Sequence, residues 1–357
     1  MASLTRLDRW RAHVAREPMD RPLRRAAFTA DLRERVVERI GGANPAQYFD
    51  MDVPRVVALK KPEGYKLPDF LPYFESKELG DDYRITEVGC ARVRGRVYHF
   101  DHLVSPLRNA TSIDDIEAFP IETCEGWTDD HMAAEVEAHH AAGEFVQSVS
   151  GPTYEQAWAI RGYEQFLMDL AVQPEWAESI LDRLTERNIR RARAAARAGV
   201  DILKTSDDVA NQNALMFSPE MWRRFLKPRM AKVYSAAREI KPDIAIWYHS
   251  DGNCQAVIDD LIDIGLTILN PVQPECMDPA EIKDRYGDRL SFWGTIGTQT
   301  TIPFGTPDDV RGEVKKRIET VGKGGGLVLA PSHVLEPEVP WENVEAFVEA
   351  AREYGAG

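Results

Sequence analysis

Ile244-Ala245-Ile246-Trp247-Tyr248-His249-Ser250-Asp251-Gly252-Asn253 is an apolar run that ends in a polar turn, and a helical pattern follows from Gln255. Such a stretch reads as a buried strand feeding a loop and then a helix. His249 and Asp251 stand two residues apart at the strand's carboxyl end, so in extended chain their side chains share a face. In parallel α/β proteins that end of a strand carries the chemistry. A histidine and a carboxylate there can bind a metal or act as an acid/base pair. They can equally be a hydrogen-bonded histidine beside an N-cap aspartate, since Ser, Asp and Asn are ordinary helix starters.

Outward from this stretch the same unit recurs. Phe145–Val149 runs into Gly151-Pro152-Thr153-Tyr154, and Asp201–Thr205 into Ser206-Asp207-Asp208. Leu266–Leu269 leads to Asn270-Pro271-Val272-Gln273, Leu290–Trp293 to Gly294-Thr295, and Gly326–Ala330 to Pro331-Ser332-His333. Helical patterns lie between them, among them a long amphipathic one from Trp176 to Ala198 with Gly199 as its stop. Strands alternating with helices at this spacing imply right-handed βαβ units and a parallel sheet. Six strands stand in order from residue 145, and weaker ones precede them, one near Arg25–Thr29. Eight would close a (β/α)8 TIM barrel. No GxGxxG follows the first strand, which argues against a dinucleotide-binding sheet. Gly324-Gly325-Gly326 precedes its strand and is expected to be a tight turn at the amino end. Between 44 and 109 the pattern is broken by prolines 45, 54, 62, 68 and 72, and Arg92–Tyr98 resembles a hairpin about Gly95. The expectation is a single domain over 1–357, with 44–109 an insertion capping the carboxyl end of the barrel.

Composition narrows the function classes. The chain has 357 residues, 43% of them hydrophobic, enough for a large core. Its formal net charge of −14 argues against nucleic acid, whose phosphates need a basic face. No run of about 18 apolar residues is present, so no membrane span is expected. The N-terminus lacks the apolar core of a signal peptide, and the four cysteines form no CxxC pair. A cytoplasmic protein is the expectation.

Polar residues collect just after the strands. Of the eight histidines, His249 and His333 fall at strand ends. With Asp251 they make two imidazoles and a carboxylate, a set that suits zinc in an open catalytic site, or iron. Cys276 could add a thiolate, or be a small buried residue. Asp208 can act as a general base or steady a cation; it can also cap a helix or pair with Lys204. Tyr154 and Trp158, one helical turn apart, can wall a pocket or belong to the core.

From about Val146 to Tyr354 the chain resembles the uroporphyrinogen decarboxylase superfamily, which also contains corrinoid methyltransferases. The resemblance rests on Thr205-Ser206-Asp207-Asp208 with Gln212, Ser218-Pro219-Glu220 with Lys227-Pro228-Arg229, and His249-Ser250-Asp251-Gly252-Asn253. It continues through Leu269–Pro274, Phe292-Trp293-Gly294 with Gln299, and Pro331-Ser332-His333 to Pro340-Trp341-Glu342-Asn343. It implies an (α/β)8 barrel and a homodimer. The porphyrinogen decarboxylases carry an arginine-rich segment near the N-terminus. Here Pro22-Leu23-Arg24-Arg25-Ala26-Ala27-Phe28-Thr29 does not reproduce it. The methyltransferase branch binds zinc through His-x-Cys and a later cysteine, positions held here by His249-Ser250-Asp251 and His333. Sulfur is thus replaced by oxygen and nitrogen, a harder ligand set. The resemblance implies metal-dependent methyl transfer or demethylation of a small methylated substrate, with the methyl group exchanged with a corrinoid on a separate protein. Asp208, His249 and His333 are the expected catalytic residues. Tyr154, Trp158, Gln212, Gln273 and Gln299 are expected to meet substrate, and His249, Asp251 and His333 to hold zinc or another divalent metal. The rival readings are a cofactor-free decarboxylase of a carboxylic acid and a non-catalytic ligand-binding barrel.

Overall fold

The structure, a computed structural model, describes residues 4–95 and 101–355. Eight barrel strands are parallel: β1 Leu23–Arg24, β2 Arg55–Val56, β3 Val146–Val149, β4 Ile202–Ser206, β5 Ala245–His249, β6 Ile268–Asn270, β7 Ser291–Ile296 and β8 Leu327–Pro331. In space they follow β1-β8-β7-β6-β5-β4-β3-β2. The two edges of that order meet where the Asp52 N–H donates to the Arg24 carbonyl at 2.8 Å. The ring is therefore the expected (β/α)8 barrel. Six of its strands coincide with those read from the apolar runs. β1 lies slightly before the expected Arg25–Thr29, and β2 falls inside 44–109.

The period of two sorts each strand into faces. Ile202, Ala245, Trp247, Ile268, Trp293, Val328 and Ala330 form one buried cluster inside the barrel, while the alternate residues pack outward against the helices. The first helix, Arg6–Ala15, closes the amino end. Its Trp10 is 3% exposed and stacks on Phe145 with ring centroids 5.0 Å apart. The Leu7 N–H donates to the Gly143 carbonyl at 2.9 Å, and the Ser291 hydroxyl to the His13 carbonyl at 2.8 Å. Both partners sit at amino ends of strands, as the turn at Gly324–Gly326 does. Gly325 has φ +97°, and a Cβ there would lie 2.3 Å from the Glu17 carbonyl oxygen, so only glycine lets the helix's exit pass.

The chain leaves the carboxyl end of β2 into a small antiparallel sheet, Tyr83–Ile85, Ala91–Arg94 and Asp101–Val104. Ala91–Arg94 contains the first arm of the expected hairpin, but its partner is Asp101–Val104; Arg96, Val97 and Tyr98, the second arm of that reading, lie outside the described residues. The excursion returns to the barrel where the Leu107 N–H donates to the Ile160 carbonyl at 2.9 Å and Arg161 reaches the Leu107 carbonyl at 2.5 Å.

Candidate functional site

The carboxyl ends of β4, β5 and β6 are held in register, with Ser206 opposite His249 and His249 opposite Asn270. The loops that follow are laced together. The Val209 N–H donates to the Ser250 hydroxyl at 3.2 Å, and the Asp251 N–H to the Asp208 carboxylate at 2.8 Å. Gly252 has φ +82°, and a Cβ on it would lie 2.5 Å from the Asn211 carbonyl oxygen. Glycine is needed there for the β5 loop to press against the β4 loop.

His249 is oriented from behind. Its Nδ1 lies 2.6 Å from Asn270 Oδ1, while Asn270 Nδ2 donates to the Trp293 carbonyl at 2.5 Å. An amide whose nitrogen serves a carbonyl must present its oxygen to the ring. Nδ1 therefore carries a proton, and in the neutral ring Nε2 keeps its lone pair. That lone pair faces Asp208 Oδ1 at 3.6 Å and Asp251 Oδ1 at 3.8 Å. Nε2 and one oxygen from each carboxylate lie within 4.8 Å of one another. Three such acceptors converging on one point fit a cation. Donors on a tetrahedral zinc at about 2.0–2.1 Å sit about 3.3–3.5 Å apart.

Negative charge is concentrated here. Burial pushes the Asp251 carboxyl up; His249 opposes this and Asp208 adds to it. Glu155 is pushed up to about 7, by burial first and then by Asp208 and Asp251, against a hydrogen bond from the Asp208 backbone. Sequence reasoning passed over Glu155. Its signal was available, since it stands in the first helical turn after β3, as Asp208 stands just after β4. Asp207, by contrast, is structural. It is 3% exposed and accepts the N–H groups of Thr153 and Glu155, each at 3.0 Å, holding the helix Tyr154–Arg161.

The other expected site residues divide. His333 is exposed, with its ring centroid 6.3 Å from that of His249, and it stands outside the three-donor group. His249 and Asp251 are thus grouped most tightly with Asp208, while His333 borders the same pockets and its charge acts on Asp251. Cys276 also stands outside, its thiol pushed up by burial, Glu275 and Asp251. Gln212 and Gln299 bond side chain to side chain at 2.7 Å. They line a pocket of about 380 Å³ together with Asp251, Gln273 and His333. Gln273 Oε1 accepts from the Gly252 N–H at 3.2 Å. Tyr154 is 0% exposed, its ring against Phe166 and Phe217. Trp158 is half-buried and edge-on to Tyr163 at 5.6 Å. Thr295, a β-branched residue in β7, has φ 82°, a strained conformation of the sort that clusters at functional sites.

The uroporphyrinogen decarboxylase (URO-D) family model matches residues 148–354, more than half of the chain and all three donors. The chain belongs to the URO-D family. Within it, the chain is similar to methylcobamide:CoM methyltransferase MtaA of Methanosarcina barkeri, 34% identical over 179 residues, which are 50% of this chain and 49% of that protein. It is also similar to uroporphyrinogen decarboxylase of Trichodesmium erythraeum, 24% identical over 212 residues, 57% of this chain and 56% of that one. The chain thus spans about half the length of the curated relatives it matches. A solved methyltransferase from Methanosarcina mazei shares the URO-D barrel over 99% of both chains, with a TM-score of 0.67 at 20% identity. Among the described residues, no helix is long and apolar enough to cross a membrane.

Proposed function

We propose that this URO-D family chain is a metal-dependent methyltransferase or demethylase acting on a small methylated compound, and that it exchanges the methyl group with a corrinoid carried by a separate protein. The observation that carries the reading is the convergence of His249 Nε2, Asp208 and Asp251 at the barrel mouth. Similarity to a methylcobamide:CoM methyltransferase supports the choice of reaction. Nitrogen and oxygen donors, one of them an imidazole oriented by an amide, fit zinc or another divalent metal. When bound, such a metal supplies Lewis acidity toward the heteroatom that gives or takes the methyl group.

The remaining roles belong to the chain's own groups. Asn270 holds the His249 tautomer. Gln212, Gln273 and Gln299 offer hydrogen bonds along the wider pocket. His333 borders it from the β8 side, where it meets substrate rather than the three-donor group. Glu155, pushed up to about 7, can hold or release a proton beside Asp208 near neutral pH. A homodimer and a cap formed by 44–109 belong to the same reading.

The test is elemental analysis of protein purified without chelators, followed by a screen of methyl donors with a free corrinoid. About one equivalent of metal is expected, with His249→Ala and Asp251→Ala losing metal and methyl transfer together. Full-rate methyl transfer by chelator-treated, metal-free protein would sink the metal dependence. Release of carbon dioxide from a carboxylic acid by that same protein would replace the reading with a decarboxylase.

A further inference from the structure

Beneath the three-donor group lies a second cavity, of about 280 Å³, that reaches into the barrel. Its upper rim includes His249, Asn270 and His333, and its inner wall is built from Lys204, Arg25, Trp247 and Trp293. Lys204 projects inward because it shares the phase of Ile202 and Ser206 on β4, opposite Trp247 in the β4–β5 register. Its ammonium lies 4.3 Å from the Trp247 ring centroid. The Arg25 guanidinium lies 5.5 Å from the Trp293 ring centroid, and the two indoles meet edge to face at 6.1 Å.

Both cations are half-buried, and no acidic residue lines this cavity. Among the described residues neither side chain has a carboxylate partner or a hydrogen bond. Each lies over the face of one indole. The neighbouring arginines at the first strand are paired: Arg21 with Asp52 at 2.6 Å, Arg24 with Asp50 at 2.7 Å. Two cations directed into one cavity without counter-charge are costly unless a ligand supplies it. Burial, and then Arg25, push the Lys204 ammonium down to about 8, which is the same deficit in another form.

We propose that this inner cavity is the subsite for a single carboxylate on the substrate, held between Lys204 and Arg25. A carboxylate matches the planar fork of arginine and the point charge of lysine. The two indoles give it apolar sides, and the volume, at the small end of ligand pockets, admits a compact molecule. The proposal rests on the methyl-transfer reading only for what stands at the other end of that molecule, at His249, Asp208 and Asp251. The anion subsite itself needs no metal.

The experiment is a tryptophan-fluorescence and calorimetric titration of chelator-treated protein with acetate, methoxyacetate and benzoate, and with the uncharged amides of each. At least one carboxylate is expected to bind saturably, at least tenfold more tightly than its amide. Lys204→Met and Arg25→Met are each expected to weaken it by about tenfold or more, a loss of about 1.4 kcal/mol. Lys204→Arg should retain most of the affinity. Thermal melts identify a variant that has not folded, in which case the other methionine variant decides. The proposal is overturned if no carboxylate saturates by about 10 mM, where a contact pair of this kind still holds a ligand. It is also overturned if acid and amide bind alike, or if both methionine variants bind as wild type does. Because metal is absent throughout, failure here is distinct from failure of the metal reading, which elemental analysis decides.

Discussion

Replacing Asn270 separates two jobs that one amide performs. Asn270 is 6% exposed; its oxygen accepts from His249 Nδ1 at 2.6 Å and its nitrogen donates to the Trp293 carbonyl at 2.5 Å. In Asn270→Ala both bonds are lost. The Trp293 carbonyl is left buried without that donor, at a cost of about 1–3 kcal/mol in stability. The imidazole is free to rotate and to exchange its proton between nitrogens, and losing such an outer partner lowers metal affinity by about 10–100-fold. Asn270→Asp keeps an acceptor for Nδ1–H but has nothing to donate to the carbonyl. It should lose stability as the alanine variant does, yet hold zinc within a few-fold of wild type. Competition for zinc against a chromogenic chelator gives the affinities, and urea unfolding of the metal-free proteins gives the stabilities. If Asn270→Ala binds zinc like wild type, or Asn270→Asp loses it equally, Asn270 does not set the His249 tautomer and the three-donor argument fails with it.

Glu155, pushed up to about 7 from an ordinary 4.5, binds a proton in the folded state that the unfolded chain has released. Its contribution is therefore lost as pH rises from about 4.5 to 7, by on the order of 3 kcal/mol in metal-free protein. Glu155→Gln should flatten that part of the stability–pH curve, and an unchanged curve would contradict the burial of its charge. Gly252→Ala places a Cβ against the Asn211 carbonyl at positive φ. It should cost more than about 1 kcal/mol and reduce metal content by shifting Asp251, as read by thermal melting and elemental analysis. Trp10→Ala opens the amino end of the barrel and should cost about 3–5 kcal/mol in urea unfolding. A loss below about 1 kcal/mol would mean that the first helix does not seal the barrel.

Six of the eight strands were legible because a parallel strand buried on both faces reads as a continuous apolar run between turn signals. The first was legible only as a weak strand near Arg25–Thr29, and the second was not. Leu23–Arg24 and Arg55–Val56 are two residues each, and both residues of the second are exposed. They hold their places through backbone bonds, such as Arg55 N–H to the Phe145 carbonyl at 2.9 Å, which composition does not encode. At the site, His249 and Asp251 were legible from their two-residue spacing. That Asp208, and not His333, completes the group depends on how the loops after β4 and β8 turn, and no periodicity governs a loop. Lys204 was readable in principle. It shares a phase with the inward residues of β4 and faces a tryptophan two residues before His249. A lone lysine in an apolar strand simply looks like one that reaches solvent.

The distribution of unpaired charge argues for ligands of opposite sign at the two levels of the barrel. Asp208 and Asp251 have no lysine or arginine partner among the described residues, and their nearest cationic candidate is His249, at 3.6 and 3.8 Å. A lysine was at hand for this work. Lys204 stands four residues before Asp208, yet its strand phase turns it inward over Trp247 instead of upward to the carboxylates. Had the cluster been only a polar plug, an internal ion pair would have satisfied both sets at once. The fold instead sets His249, which the two carboxylates face, one two-residue step above the level of Lys204 and Trp247, roughly 6.5 Å along the strands. The acidic mouth is thereby left for a cation from solution and the cationic floor for an anion. On the proposed function, a substrate spanning that step would be oriented by its own charge, with its methylated end toward His249.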